Sequence, residues 1–392
     1  MAKKTKKKPL TPKAVPTDLF GKQISVLEKQ FGDRVLESLA SIKARPVLRT
    51  SSGSIALDYI LSPKLGGMRN GRMLQLWGAP SCGKTTIALA FAANVTAAKK
   101  RVIFLDAEKT FDPSVAEAAG IDPDYFHVLR KPSEESINIL YRILQTGDVG
   151  AVIIDSISAL KPTPTEKKDK DLDITREQVA YHSNFISKWI DKLTDICADN
   201  DVLFICINQM RNQLGTYMGG TKAASGGFNY EHAISASIRM SGHVKNKNSR
   251  ITNEEGKPIG QFVSCICDKS KIDMPQKEVR IPLFLGLGIN PFMELAELAV
   301  QTTGVIVNKG AFYYLADDLD GGNIAQGMSA LVNKLYQDND FFKDIRSKVV
   351  KSLGLEYPKD EPFINPFLNA DLTPKYVEYQ EVEEPVDEPA IG

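Results

Sequence analysis

The chain has no Cys-x-x-Cys pair. Its five cysteines, Cys82, Cys197, Cys206, Cys265 and Cys267, form an odd set without zinc-type spacing. That excludes a finger- or ribbon-type zinc site and a disulfide scaffold, and a reducing compartment is the simplest setting. The four histidines, His127, His182, His232 and His243, are scattered without metal-ligand spacing and read as single polar or packing residues. No apolar run approaches the roughly 18 residues of a membrane span, and no secretory core follows the early lysines. No internal repeat is present, which excludes a solenoid or a tandem duplication. Charge is nearly balanced at +1, so by itself it neither favours nor opposes a nucleic-acid partner. Its distribution says more: Lys3, Lys4, Lys6, Lys7 and Lys8 crowd the start, and Glu381, Glu383, Glu384, Asp387 and Glu388 crowd the end. Such opposed tails are expected to be solvated and disordered.

What is present centres on Gly78-Ala79-Pro80-Ser81-Cys82-Gly83-Lys84-Thr85-Thr86, which fits G-x-x-x-x-G-K-[ST]. Leu74 to Trp77 before it reads as a buried strand, and Ile87 to Ala93 behind it as a helix start. Gly78 and Gly83 allow backbone N–H groups to converge on a phosphate chain. Lys84 adds a point charge at the β/γ-phosphates, and Thr85 offers a hydroxyl to Mg²⁺. The helix N-terminus adds its partial positive charge. With strand before and helix after, the loop predicts a nucleoside triphosphate. Cys82 inside it is a small filler or an oxidation-sensitive thiol.

Strand-like runs at 101–106, 126–129, 151–155 and 202–208 alternate with helical segments at 134–146 and 177–198. This predicts an α/β domain with a mainly parallel sheet and right-handed crossovers, with ligands at the carboxyl ends of the strands. Asp155 ends one such run and fits an acid that holds Mg²⁺. Glu108 follows another and suits a general base, the alternative being a surface glutamate. Gln209 caps a third, where an amide can reach the γ-phosphate or its water, or be no more than a strand cap. Two stretches break the alternation: Lys161 to Arg176, with Lys167, Lys168 and Arg176 among acids, and Met210 to Tyr230, with Arg211, Lys222, Gly226 and Gly227. Long basic or glycine-rich loops at this edge suit a phosphate-backbone ligand such as DNA, the alternative being solvated surface loops. Phe20, Ile24, Leu27, Phe31 and Val35 recur at helical spacing, predicting an amphipathic helix that packs on its own domain or on a neighbouring protomer. Past Gly288 short helices at 291–303, 325–336 and 340–353 surround an aromatic strand at 311–314.

In order and at matching spacing, Leu27-Glu-Lys-Gln-Phe-Gly, Ser52-Gly-Ser-Ile-Ala-Leu-Asp, the loop 78–86, Phe104-Leu-Asp-Ala-Glu-Lys-Thr-Phe-Asp-Pro, Val152-Ile-Ile-Asp-Ser, Ile207-Asn-Gln-Met-Arg, Ser225-Gly-Gly and Gly286-Leu-Gly-Ile-Asn resemble the RecA family of homologous recombinases over roughly residues 20–355. The resemblance implies a RecA-type P-loop ATPase core at 46–287, after a basic tail and protomer-packing helix at 1–45. A small C-terminal α/β domain at 288–370 and an acidic tail at 371–392 would follow. It implies a DNA-dependent ATPase that forms helical homo-oligomeric filaments on single-stranded DNA, pairs it with duplex DNA and exchanges strands. ATP and Mg²⁺ would be the cofactors, and a single-strand-binding protein and loading factors further partners. Cytoplasm, or host cytoplasm for a phage-encoded member, would be the location. Residue by residue, Lys84 and Thr85 match phosphate and Mg²⁺ contacts, Asp155 the Walker B acid, Glu108 the hydrolytic base and Gln209 the γ-phosphate sensor. Asp112 matches an acid near the adenine. Lys269 and Lys271 match a pair reaching the neighbour's ATP, and the segments after Asp155 and Gln209 match the DNA loops.

Four departures point to a divergent member. Val115 stands where the family often stacks a tyrosine on adenine, and Leu285 replaces a second aromatic. The stretch 227–239 is about two residues longer than in bacterial members, and the first loop is more charged. The competing readings are a hexameric-helicase-like or clock-type RecA-fold ATPase, opposed by the single ATPase copy, and an ATP-gated DNA scaffold without turnover, opposed by intact Glu108, Lys84 and Asp155.

Overall fold

The computed structural model describes residues 19–31, 36, 38–44, 46–62, 64–130, 134–160, 177–212, 222–224, 227–242, 245–246, 249–253, 255–357, 364–369 and 371–374. The lysine-rich start, the acidic end and all of 161–176 therefore lie outside the described residues. Two compact units divide at Val47/Leu48. In the first, helix α1 (Leu19–Phe31) has no buried side chain, and Leu19, Phe20, Val26 and Phe31 of its apolar set are exposed. The expected helix reached to Val35, which lies outside the described residues.

In the second unit six strands run parallel in the order β3 (Phe126–Leu129), β2 (Arg101–Asp106), β4 (Val149–Asp155), β5 (Leu203–Asn212), β1 (Met73–Gly78) and β7 (Ala236–Ser241). The sheet continues antiparallel through β8 (Pro258–Ser270), β9 (Glu278–Phe284) and the two-residue β10 (Gly288–Ile289). The short strand β6 (Lys222–Ala224) pairs back on the end of β5. The sequence foretold the parallel part. It did not foretell β9, whose Pro282 weakens the strand signal in the sequence.

Side chains alternate across the strands, and this partitions the core. Leu74, Leu76, Val102, Phe104, Ala151, Ile153, Leu203 and Ile205 pack on one face against Ile87 and Phe91 of helix α3 (Lys84–Ala97). Met73, Ile103, Leu105, Val152, Ile154, Phe204 and Cys206 pack on the other against Leu140 and Leu144 of α5 (Glu134–Leu144) and Trp189, Ile190 and Leu193 of α6 (Glu177–Asp199). Each large aliphatic so buried contributes about 1.5–3 kcal/mol relative to exposure.

The first core runs without a break past residue 288. Phe292 and Leu295 of α8 (Pro291–Glu297), Leu331 and Leu335 of α9 (Met328–Gln337), and Phe342, Ile345 and Val349 of α10 (Asn339–Ser352) join the cluster that holds Leu57 of α2 (Ile55–Leu61). One expectation holds with a change of geometry and one needs correction. The helix expected at 291–303 is α-helical over Pro291–Glu297 and continues as a π-helical turn over Leu298–Thr302. The one expected at 325–336 begins at Met328, because Ala325–Gln326 pairs as a strand with Phe312–Tyr313.

Candidate nucleotide site

β1 lies between β5 and β7 in the middle of the sheet, and its carboxyl end opens into the loop 78–86. The register fixes what stands beside it: Gly78 is level with Gln209 across the β1/β5 step, and Asp106 with Asp155 across β2/β4. Gly83 caps α3 with φ +87, a left-handed conformation that a side chain resists. The helix begins at Lys84, so its first N–H groups face the loop and suit an anion. Gln261, buried on β8, donates from Nε2 to the Ser81 carbonyl at 2.9 Å and so pins the loop from the antiparallel part of the sheet.

Lys84 is only 8% exposed, and its Nζ donates to the carbonyls of Ala79 at 2.7 Å and Gly78 at 3.2 Å. Burial holds the Cys82 thiol above its ordinary pKa, so the filler reading suits it better than a reactive one. The Thr85 hydroxyl donates to Asp155 Oδ2 at 2.6 Å. Burial, and then the charges of Glu108 and Asp106, push the Asp155 carboxyl up to about 6 against the Thr85 hydrogen bond. A cation would relieve that crowding, and an oxygen-only donor pair suits a hard divalent ion. Among the described residues no three His, Cys, Asp or Glu side chains are placed to hold a metal on their own; the groups here that could hold Mg²⁺ are the Thr85 hydroxyl and the Asp155 carboxylate.

Glu108 is the hub of the edge. Its Oε1 accepts from Ser156 Oγ at 2.6 Å and from Gln209 Nε2 at 2.8 Å. Asp106 accepts from the backbone N–H groups of Thr110 and Phe111 at 3.1 and 3.3 Å, which shapes the turn that presents Glu108. Sequence reasoning brought Lys84, Thr85, Glu108, Asp155 and Gln209 together. It missed Asp106, Ser156 and Gln261, of which only Asp106 carried a signal, as the last residue of an apolar strand. Asp112 caps α4 (Pro113–Ala118), accepting from the Ser114 N–H at 2.9 Å.

Lys269 and Lys271 follow on the end of β8 and beyond it. Their Nζ atoms donate to the carbonyls of Glu231 and His232, in the last turn of α7 (Gly227–Ala233), where the helix dipole favours cations. Burial and the neighbouring Lys271 lower the Lys269 pKa. Of the DNA-loop residues, Lys167, Lys168, Arg176 and Gly226 lie outside the described residues. Arg211 and Lys222 are placed by backbone only, on the β5–β6 ribbon beyond Gln209, where Arg211 pairs with Ala223 and Asn212 with Lys222. Gly227 opens α7.

A family model described as the RecA N-terminal domain matches residues 19–290. The chain is 30% identical over 329 residues to "Protein RecA" of Mycoplasmopsis pulmonis, covering 84% of this chain and 92% of that one. It is 30% identical to "Protein RecA" of Lactococcus lactis subsp. cremoris, over 85% and 83% of the two chains. To "Protein RecA" of Nostoc punctiforme it is 29% identical, over 87% and 92%. No described helix is long and apolar enough to cross a membrane.

Proposed function

The chain belongs to the RecA family of DNA recombinases, and from that premise we propose how its residues divide the work of a DNA-dependent ATPase that pairs and exchanges strands in recombination and repair. The observation that carries the proposal is the bridge Ser156–Glu108–Gln209, set beside the phosphate loop at the carboxyl edge of the sheet. Glu108 orients the attacking water and takes its proton as the bond to the γ-phosphorus forms and ADP leaves. Lys84 and the α3 N-terminus bind the phosphates. Thr85 and Asp155 would hold Mg²⁺, which would neutralise β/γ-phosphate charge when bound. Asp112, at the head of α4, is assigned to the side of the base. The single ATPase copy and the family separate this chain from the helicase-like and clock-type readings.

DNA is assigned to the segments after Asp155 and Gln209, including Lys167, Lys168, Arg176, Arg211, Lys222, Gly226 and Gly227. In a helical filament Lys269 and Lys271 are assigned to the neighbour's phosphates, and α1 to the adjacent protomer. Residues 288–370 are treated as the small C-terminal domain of the family. A cytoplasmic location, a single-strand-binding protein and loading factors complete the expected setting, and the departures from the bacterial pattern favour a phage origin.

The test is ATP hydrolysis with and without single-stranded DNA, followed by strand exchange. Stimulated hydrolysis with exchange is expected, whereas ATP-responsive DNA binding with no turnover would return the scaffold reading. In the same assay, protein with both Lys269→Ala and Lys271→Ala, mixed with Lys84→Ala protein, should recover part of the activity at mixed interfaces. No recovery at any ratio would refute the action in trans.

A further inference from the structure

The phosphate loop rests on the antiparallel side of the sheet at three points, and the middle one differs in kind from the other two. At the ends the contact is steric: a Cβ on Gly78 would collide with the Met240 carbonyl oxygen of β7, and one on Gly83 with the Leu283 side chain of β9. At the apex it is polar. Ser81 is exposed, and its carbonyl accepts from Gln261 Nε2 of β8 at 2.9 Å.

That hydrogen bond fixes a peptide plane. Ser81 lies at φ +59, a left-handed conformation that a residue with a Cβ resists, and Gly83 at φ +87, with Cys82 between them outside that region. Alternating hand along consecutive residues turns their N–H groups to one side, the arrangement that cradles anions. In a trans peptide the N–H points opposite to the carbonyl. With the Ser81 carbonyl held on β8, the Cys82 N–H is therefore turned away from β8.

Packing does not account for an amide at this position. Gln261 is 2% exposed, and among the described residues its Oε1 is buried with no hydrogen-bond partner. A methionine would fill the same place on the strand without burying an acceptor that the protein leaves unpaired.

Resting on the ATPase reading above, we propose that Gln261 is a positioning residue for the triphosphate: it holds the Ser81–Cys82 peptide with its N–H turned to the phosphates, and so serves phosphate affinity and not the stability of the fold. The action runs through the loop backbone alone. Any ligand with the phosphate chain should feel it equally, with or without a base.

The experiment compares full-length unaltered protein with Gln261→Met, by calorimetric titration with ATP and with inorganic tripolyphosphate in the presence of Mg²⁺, and by urea unfolding without ligand. Loss of one hydrogen bond should weaken both ligands alike by about 3–10-fold, and raise KM for ATP by the same factor with kcat kept. The urea midpoint should hold or rise, because the freed carbonyl belongs to an exposed residue that water can reach and the unpaired acceptor is gone. Unchanged affinity, a loss for ATP that tripolyphosphate does not share, or a lowered urea midpoint overturns the proposal. Isotopic labelling of the cysteine amides in the unaltered protein needs no variant. Saturating tripolyphosphate should shift the Cys82 amide resonance, and a Cys82 resonance that stays in place also overturns it. Unaltered protein that binds neither ATP nor tripolyphosphate fails the ATPase reading itself. Protein that binds both while Gln261→Met changes nothing fails the positioning role alone.

Discussion

Two groups of buried carboxylates stand in the unit that begins at Leu48 and are solvated by the protein in different ways. At the carboxyl edge of the parallel strands, Asp155 meets one hydroxyl, that of Thr85, and the charges of Glu108 and Asp106, and burial with that repulsion raises it to about 6. On the side where α2 meets α8, Asp58 accepts from Ser51 Oγ at 2.6 Å, from Ser52 Oγ at 2.7 Å, from Ser52 N–H at 2.8 Å and from Tyr357 OH at 2.9 Å. Glu294 accepts from Ser54 Oγ and from the first backbone N–H groups of α2, Ile55 at 3.2 Å and Ala56 at 3.3 Å. Burial raises these two as well, Asp58 to about 6 and Glu294 to about 7, against hydrogen bonds that lower them. Desolvation alone therefore does not mark a functional site. The difference lies in the partners: Asp58 and Glu294 have theirs supplied by serines, a helix start and a tyrosine, whereas Asp155 has a single hydroxyl, the Lys84 cation and a loop that suits phosphate. The first group is the one assigned to chemistry, and the second joins residues 51–58 to Glu294 and Tyr357.

The largest effect should come from the sharpest break in that contrast. Glu108→Gln keeps the shape of the edge, including an oxygen for Ser156 Oγ. It should lower ATP turnover about 10²–10⁴-fold while preserving nucleotide binding. Its folding stability should stay within about 0.5 kcal/mol of the unaltered protein. Steady-state hydrolysis, nucleotide titration and urea unfolding give the three readings. Near-normal turnover would remove Glu108 from the chemistry.

Glu294→Ala should do the reverse. It leaves the Ser54 hydroxyl and the start of α2 without their acceptor in a dry core, at a cost on the order of 3 kcal/mol, with nucleotide affinity kept in whatever fraction stays folded. The pair also has a pH signature. In the unfolded chain these carboxyls ionise near 3.8 and 4.5, but in the fold they hold their protons to about 6 and 7. Between those limits the folded state binds more protons, so their contribution makes stability fall as pH rises, and it levels off above about 7. Asp58→Asn should flatten that fall, read as the difference in urea midpoint between variant and unaltered protein from pH 4 to pH 8. A difference that is constant with pH would show that Asp58 is ionised throughout.

The two groups also differ in how far the sequence disclosed them. Lys84, Thr85, Glu108, Asp155 and Gln209 were legible because each is tied to a local pattern, a glycine loop or the last residue of an apolar run, and parallel strands bring such ends to one edge. Gln261 reaches Ser81 across 180 residues, Glu294 reaches Ser54 across 240, and Asn94 reaches Ile364 across 270. No short-range periodicity encodes these pairings. The same limit applies to β9 and to α9, whose expected first turn was taken by a strand pairing that only the folded chain supplies. The stretch 364–369, which turns at Pro366–Phe367, gave no periodic signal at all.

The smallest and most specific effect should belong to Gln209, which bridges the chemistry to the rest of the molecule. Its amide donates to Glu108 at 2.8 Å, and one residue later the chain enters the β5–β6 ribbon, where Met210 pairs with Ala224 and Asn212 with Lys222. We propose that an intact γ-phosphate draws the Gln209 amide from Glu108. That one exchange would free the base for water and shift the ribbon whose tip is assigned to DNA. A hydrogen bond to a charged group is worth roughly 1.5–3 kcal/mol, enough to change the ratio of two ribbon states by about tenfold or more. Linkage makes the effect reciprocal: ATP should tighten DNA binding, and DNA should tighten ATP binding by the same factor. Gln209→Ala should keep ATP binding and fold stability and lose most of that mutual enhancement. The measurement is single-stranded DNA affinity with a non-hydrolysed ATP analogue and with ADP, at fixed salt because phosphate contacts are salt-dependent. If the ratio of the two affinities is the same in Gln209→Ala as in the unaltered protein, the switch is refuted and Gln209 is a strand cap that holds Glu108.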